Sequence, residues 1–310
     1  KKFEGKNIHL DVVDIDQDSL RLAKVILSKY TIPKNVEITY IADDFLTHSV
    51  ERKYDYVIGN PPFFKMKSTD KLLREYRKSA INKETTNICE FFLEKALKIS
   101  NYVALVFPKF LLNTPEFSTT REFLSVKAVE SIIDFGEKGF PGVLVETLAI
   151  FINNLRKPNK TFVKSVTYNI QLKQKQEYIT DKAYPTWLLY RNQQFDEFAG
   201  KLDLGMFTTF RDRQITSKRC NKSGKFRVLR SRNIATNKII DIPGYDLYLD
   251  NINELAILKY LNKDNIICVP NLSYYPRACF LPKNCIKSVL KNKKAPALRQ
   301  GPKSLVIRDY

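Results

Sequence analysis

Histidine is almost absent from this 310-residue chain: His9 and His48 are the only two. That scarcity argues against catalysis built on imidazoles and against a histidine-rich metal centre. The five cysteines, Cys89, Cys220, Cys268, Cys279 and Cys285, include no Cys-x-x-Cys pair. Neither a zinc ribbon nor a disulfide framework is therefore expected, and no metal site is assigned. Cys279 and Cys285 have no histidine near them in sequence and read as free thiols in a half-buried sheet. No apolar run approaches the roughly 20 residues of a membrane span, and nothing has the form of a signal peptide. A soluble protein of the reducing cytoplasm, without membrane contact, is expected.

Positive charge is what the chain has in excess, with 52 Lys and Arg against 33 Asp and Glu, a net +19. The excess is uneven. Lys1–Thr180 holds 28 basic and 22 acidic residues, whereas Asp181–Tyr310 holds 24 and 11. Scattered lysines fit a solubility effect equally well. The stretch Arg211–Arg232 is different, because nine basic residues there face one acid, Asp212. Clustered arginine suits phosphate contacts and forked hydrogen bonds to base edges. Arg211, Arg213, Lys218, Arg230 and Arg232 are the candidate nucleic-acid contacts.

The first half alternates strand-like and helix-like pieces, the pattern of a parallel α/β sheet. Strands are expected at Ile8–Val13, Val36–Ile41, Tyr54–Ile58, Tyr102–Phe107, Ser131–Phe135 and Val143–Ile152. Helices are expected at about Gln17–Lys29, with Asp16 as cap, at Asn87–Ser100 and near Thr119–Lys127. The last two strands, joined by the turn-rich Gly136–Gly142, read as a hairpin at the sheet edge. Beyond about Asn153 this alternation gives way to short strands and turns. Pro185 and Trp187 are expected to open a new unit, with helices near Leu188–Phe198 and Ile252–Leu261.

In an α/β sheet, ligands collect at the carboxyl ends of parallel strands, and three such ends carry polar residues here. Asp14 and Ile15 end the first strand; a carboxylate in that place can hold a ribose diol while Ile15 lies against an adenine. Asp43-Asp44-Phe45-Leu46 follows the second. The third strand runs Asp55-Tyr-Val-Ile-Gly59 into Asn60-Pro61-Pro62-Phe63. Asn60 offers a side-chain oxygen and Pro61 a carbonyl, the two prolines fix φ and lack N–H groups, and Phe63 supplies a flat ring.

Asn-Pro-Pro-Phe after a strand resembles the catalytic motif of S-adenosylmethionine-dependent amino methyltransferases, in particular the gamma-type DNA adenine-N6 enzymes of restriction–modification systems. The resemblance continues in Cys89–Leu97, Val106–Pro108 and Gly139–Val143, with Phe140 as a weak base-contact candidate. Arg213–Thr216 and Val228–Ile234 are similar to target-recognition segments. The family implies a Rossmann-like methyltransferase sheet at residues 1–165 and a mixed α/β DNA-recognition domain at 185–310. It implies Asn60, Pro61, Pro62 and Phe63 as the catalytic set around a flipped adenine. Asp14, Ile15, Asp44 and Phe45 would bind S-adenosylmethionine, with Asp44 preferred to Asp43 because Phe45 follows it. Double-stranded DNA is the implied partner, and a fused or separate restriction endonuclease accompanies many such enzymes.

One departure stands out: nothing before Asp14 has the family's first strand and Gly-rich turn, so the sheet is expected to lack that strand, as in an N-terminally truncated fragment. Three alternatives remain open at this level. One is an RNA or protein amino methyltransferase sharing the Asn-Pro-Pro-Phe loop, another is cytosine N4 as acceptor, and the third is a non-catalytic DNA-recognition subunit.

Overall fold

The computed structural model describes residues 5–137, 139, 145–203, 206–210, 212, 214–261, 265–270, 273, 275–281 and 304–307. The chain divides into two units, Lys1–Lys201 and Leu202–Tyr310. The first opens with β1 (Ile8–Asp14), α1 (Gln17–Leu27), β2 (Val36–Ala42), β3 (Tyr54–Gly59), α2 (Lys71–Ser79), α3 (Ile88–Ile99) and β4 (Ser100–Pro108). It continues through α4 (Ser118–Ser125), β5 (Ala128–Gly136), β6 (Thr147–Asn153), β7 (Lys160–Ser165), β8 (Ile170–Lys175), α5 (Gln176–Ile179) and α6 (Gln193–Ala199).

Local chemistry sets these boundaries. Asp16 caps α1 by accepting the Asp18 N–H at 3.0 Å and the Ser19 hydroxyl at 2.7 Å. Asn87 caps α3 through the Cys89 N–H. β4 ends at Pro108, which has no N–H to continue a ladder. α2, with the sequence KLLREYRKS, is a helix the sequence reading did not foresee; its charged residues cover a buried pair, Leu73 and Tyr76.

Six strands form one mixed sheet in the order β3-β4-β6-β5-β7-β8. β3 runs parallel to β4, and β7 to β5; β6 is antiparallel to both β4 and β5. β1 and β2 form a separate parallel pair, tied to β3 by the Tyr54 hydroxyl, which donates to Asp11 at 2.7 Å. The expected hairpin at the sheet edge is thus corrected. β5 and β6 do pair, but β6 sits inside the sheet between β4 and β5, and β7 and β8 form the edge. A strand paired on both sides and covered on both faces is largely apolar; six of the seven β6 residues are buried, and Leu148–Ile152 between the polar ends Thr147 and Asn153 are all apolar. The core around it contains Phe107, Phe117, Leu148 and Ile150.

The unit boundary also differs from expectation. Trp187 and Leu189 belong to the core of the first unit, and the Trp187 N–H donates to the Leu112 carbonyl at 2.8 Å. Pro185–Lys201 therefore closes the first unit instead of opening the second. The helix expected at Leu188–Phe198 is confined to α6, after Asn192 caps it through the Phe195 N–H.

The second unit contains β9 (Phe226–Leu229), β10 (Ile234–Ala235), β11 (Lys238–Ile239), β12 (Leu247–Leu249), α7 (Leu258–Leu261), β13 (Ile267–Cys268), β14 (Cys279–Phe280) and β15 (Ser304–Ile307). β9 lies between β12 and β15. Its own core includes Phe226, Val228, Leu229, Ile234, Leu249 and Cys279. Of the helix expected at Ile252–Leu261 only the last turn forms. Cys285 lies outside the described residues. Among the described residues no helix is long and apolar enough to cross a membrane.

Leu148 is fully buried on β6, whereas Ile58 on β3 is 80% exposed. Leu148→Ala is expected to cost about 2–5 kcal/mol in urea unfolding, and Ile58→Ala to stay within about 0.5 kcal/mol. Equal losses at the two positions would contradict the burial pattern.

Candidate functional site

The site is built where β1, β2 and β3 end. The Asp43 N–H donates to the Asp14 carbonyl at 3.1 Å, which joins the ends of β1 and β2. The Asp14 carboxylate is exposed and accepts the Asp16 N–H through Oδ1 at 2.9 Å. A carboxylate has four lone-pair sites, so capacity for further donors remains. Ile15 beside it is 76% exposed, an apolar side chain without cover in a turn made of acids.

The two aspartates at the end of β2 have separate tasks. Asp43 pairs with His48 at 2.8 Å, and that hydrogen bond, with another from the Asp44 N–H, holds its carboxyl below the usual range. Asp44 is half-buried; its Oδ1 accepts the Leu46 N–H at 2.9 Å and its Oδ2 the Tyr76 hydroxyl at 2.7 Å. Burial and this acidic acceptor both raise the Tyr76 pKa. Phe45 stacks on Phe92 of α3, with centroids 5.1 Å apart and planes at 21°, and Lys95 Nζ lies 5.3 Å from its centroid. Tyr76 and Phe92 are thus part of this corner, and sequence reasoning missed both. Phe92 falls inside the helix expected at Asn87–Ser100 with nothing local to mark a site role, and Tyr76 sits on the unforeseen α2. A cavity of about 240 Å³ borders the same corner, lined by Leu46, Tyr76, Phe91, Glu94 and Lys95 among others, but not by Asp14 or Asn60.

At the end of β3, Gly59 pairs with Leu105, and a Cβ there would come within 3.2 Å of Leu105 Cδ2. A bare α-carbon lets the strand approach β4 this closely before the chain turns out. Asn60 and Pro62 are then exposed, Pro61 is buried, and Phe63 is half-buried against the main core. The segment leaving the turn is pinned by backbone bonds. Ile88 N–H donates to Phe64 O at 3.1 Å, Met66 N–H donates to Thr86 O at 2.8 Å, and Lys65 bridges Asn87 in antiparallel fashion. Ile88 begins the helix whose Phe92 stacks on Phe45, one turn and about 6 Å further along the axis. One helix turn therefore connects the exit of the Asn60–Phe63 turn with the Asp44 corner.

Residues 5–140 match the Eco57I restriction-modification methylase family. The matched segment runs from β1 through β5 and contains every candidate catalytic and cofactor residue named above. Two curated relatives are similar: the type II methyltransferase M.VspI of Vibrio sp. (strain 343), and the type II methyltransferase M.CvrRI of Paramecium bursaria Chlorella virus XZ-6E. The first is 28% identical over 45% of this chain and 34% of its own length, and the second 27% identical over 54% and 41%. The chain thus spans well under half the length of these relatives. A solved type I restriction-modification methyltransferase subunit from Streptococcus thermophilus is similar at 16% identity, with a TM-score of 0.43, over 64% of this chain and 49% of that one. The family match over residues 5–140 and the two curated relatives thus point the same way as the resemblance read from Asn-Pro-Pro-Phe.

The basic stretch lies outside the Eco57I-type segment, in the second unit. Arg211, Arg213 and Phe140 are outside the described residues. Lys218 is exposed on a short 3-10 turn, Ser217–Arg219, and Arg232 is exposed as well. Arg230 is engaged within its own unit. Its guanidinium lies 3.9 Å from the Tyr245 ring centroid and donates to the Tyr245 carbonyl at 2.8 Å, and its N–H donates to Asn233 Oδ1 at 3.0 Å. Arg227 likewise pairs with Asp241 and, at 3.0 Å, with Asp246. A run of arginines in sequence does not say which of them hold their own unit together.

Arg230→Ala is expected to lower stability by about 1–3 kcal/mol, seen as an earlier unfolding transition, while Arg232→Ala, which removes an exposed guanidinium that reaches the Tyr245 ring only at 5.4 Å, shifts that transition less. The opposite ranking would show Arg232 to be the structural member.

Proposed function

We propose that the protein transfers a methyl group to the N6 amino group of adenine in a specific DNA sequence, as the modification enzyme of a restriction–modification system. The observation that carries this reading is the exposed Asn60 on a proline-stiffened turn, at a strand end inside the Eco57I-type segment. S-adenosylmethionine, when bound, supplies the electrophilic methyl group. The residues present fit it: Asp14 has acceptor capacity for a ribose diol, Ile15 is an uncovered apolar side chain beside it, and the Phe45–Phe92 pair flanks Asp44.

The chain's own residues meet a definite chemical difficulty. An adenine amino group is a weak nucleophile because its lone pair is delocalised into the ring. Acceptors that take hydrogen bonds from both N–H groups favour a more tetrahedral nitrogen and return electron density to it. The Asn60 side-chain oxygen and the Pro61 carbonyl are the proposed pair, and the nitrogen's surplus proton leaves to solvent. Pro61 and Pro62 hold φ fixed, so the acceptors need little reorganisation. Phe63 is the proposed stacking face for a base removed from the duplex, a step that costs a few kcal/mol. Phosphate contacts offset that cost, and Lys218, Arg219 and Arg232 of the second unit are exposed cations suited to them. On this reading the first unit is catalytic and the second recognises the target. Where a restriction endonuclease acts on the same site, adenine methylation would protect the host DNA.

Catalysis and target recognition alone separate by experiment. Asn60→Ala is expected to lower kcat by about 100–1000-fold while DNA affinity, read by fluorescence anisotropy, stays within about twofold, since phosphate contacts dominate affinity. A variant that keeps its turnover removes Asn60 from the mechanism. A wild-type protein that binds DNA yet never methylates it supports a recognition subunit instead.

A further inference from the structure

A buried carboxylate outside the Asn60–Phe63 turn has an unusual set of partners. Glu90, on the first turn of α3, is fully buried. Its Oε1 accepts the Thr85 hydroxyl; its Oε2 accepts the Thr120 hydroxyl and, at 2.9 Å, the Asn82 amide. Three donors from two other segments thus converge on one side chain, and none of them is a cation. Burial raises the Glu90 pKa, while the bonds from Thr120, Thr85 and Asn82 pull it down. A buried carboxyl group is costly unless hydrogen-bonded, so this one holds its donors tightly.

What Glu90 holds is the strip that pins the active turn. The Thr85 hydroxyl oxygen, fixed by Glu90, accepts the Asn87 N–H at 3.0 Å. Asn87 caps α3 and bridges Lys65, and its neighbours Thr86 and Ile88 make the two backbone bonds to Met66 and Phe64. Asn82 is fixed twice more, by Glu94 Oε1 on its N–H at 3.0 Å and by its own amide on the Glu116 carbonyl at 3.1 Å. Glu116 in turn pairs with Lys65 at 2.5 Å. Every segment that touches Phe64–Met66 in these bonds is therefore anchored, directly or through one neighbour, to Glu90 or Glu116.

We infer that Glu90 is a positioning residue for the Asn60–Phe63 turn: by fixing Thr85, Asn82 and Thr120 it sets the strip 85–88 against which Phe64–Met66 is zipped, and so sets where Asn60 and Phe63 stand. This rests on the methyl-transfer reading for its catalytic consequence, but not for its structural part. The carboxylate touches no reacting atom; it acts through four residues of chain.

The test uses Glu90→Ala, Glu90→Gln and, should the alanine variant not fold, Thr120→Val. In Glu90→Ala the amides of Met66 and Ile88 should exchange with deuterium about tenfold faster than in the wild type, as expected for loss of a buried bond, while amides of β4 and β6 keep their protection. Glu90→Gln, which retains one acceptor oxygen and can donate to Thr85, should restore most of that protection. On DNA carrying 2-aminopurine at the target base, Glu90→Ala should lose the fluorescence signature of a base seated on the turn. Its kcat should fall by about a hundredfold with little change in KM, because misplacing reacting groups by about 1 Å costs that much. Unchanged Met66 and Ile88 exchange overturns the inference, as does a rise spread equally over β4 and β6. Faster local exchange with unaltered turnover overturns its catalytic part. A wild type that methylates no DNA instead defeats the methyl-transfer reading, and the exchange measurement still decides the positioning.

Discussion

The structure depends on how one short turn is held after its strand runs out. Two consecutive prolines after Gly59 cannot donate to a ladder, so Pro61 and Pro62 cannot extend the pairing of β3 with β4. The chain must find its next backbone partners elsewhere, and it finds them in the strip before α3, where Thr86 and Ile88 bond Met66 and Phe64. That strip is fixed to the Glu90 carboxylate of α3 and to the Arg77 guanidinium of α2, which donates to the Thr85 carbonyl. The turn is consequently held at both ends by rigid structure while Asn60 stays exposed between them. A stiff, exposed acceptor is what the proposed chemistry asks of this position.

The same helix organises the neighbouring corner. α3 carries Glu90 toward the strip and Phe92 onto Phe45, two residues apart and so on different faces. The catalytic and cofactor corners proposed here are thereby referred to one rigid element. Tyr76 of α2 adds a third support by bonding Asp44. The first sheet and its β1–β2 pair supply the strand ends, but the helices determine how those ends are furnished.

Much of this was legible in the sequence, and the failures have physical reasons. β1 to β4 and their polar endings could be read because apolar runs that stop at Asp14, Asp43 or Asn60 mark strand ends directly. The placement of β6 between β4 and β5 could not be read, because an apolar run shows burial and not the neighbours of a strand. α2 was hidden by its charge: only Leu73 and Tyr76 face inward, too few to give a clear period. Asp44 was singled out for the Phe45 beside it, but its partnership with Tyr76 spans 32 residues and leaves no local trace. Residue type alone does not sort the members of the basic stretch. Arg227 and Arg230 count toward charge as Arg232 does, yet both bond acceptors within the second unit. The end of the first unit was placed too early because Trp187 and Leu189 follow a proline and read as a fresh start, whereas they fill the first core.

The central claim is that the Asn60–Phe63 turn presents acceptors to the amino group of an adenine. The most direct measurement incubates the protein with DNA and isotopically labelled S-adenosylmethionine, digests the DNA to nucleosides and identifies the labelled species by mass spectrometry. The account predicts label in N6-methyldeoxyadenosine at one recurring sequence. Label in N4-methyldeoxycytidine, or in no nucleoside at all, would contradict it.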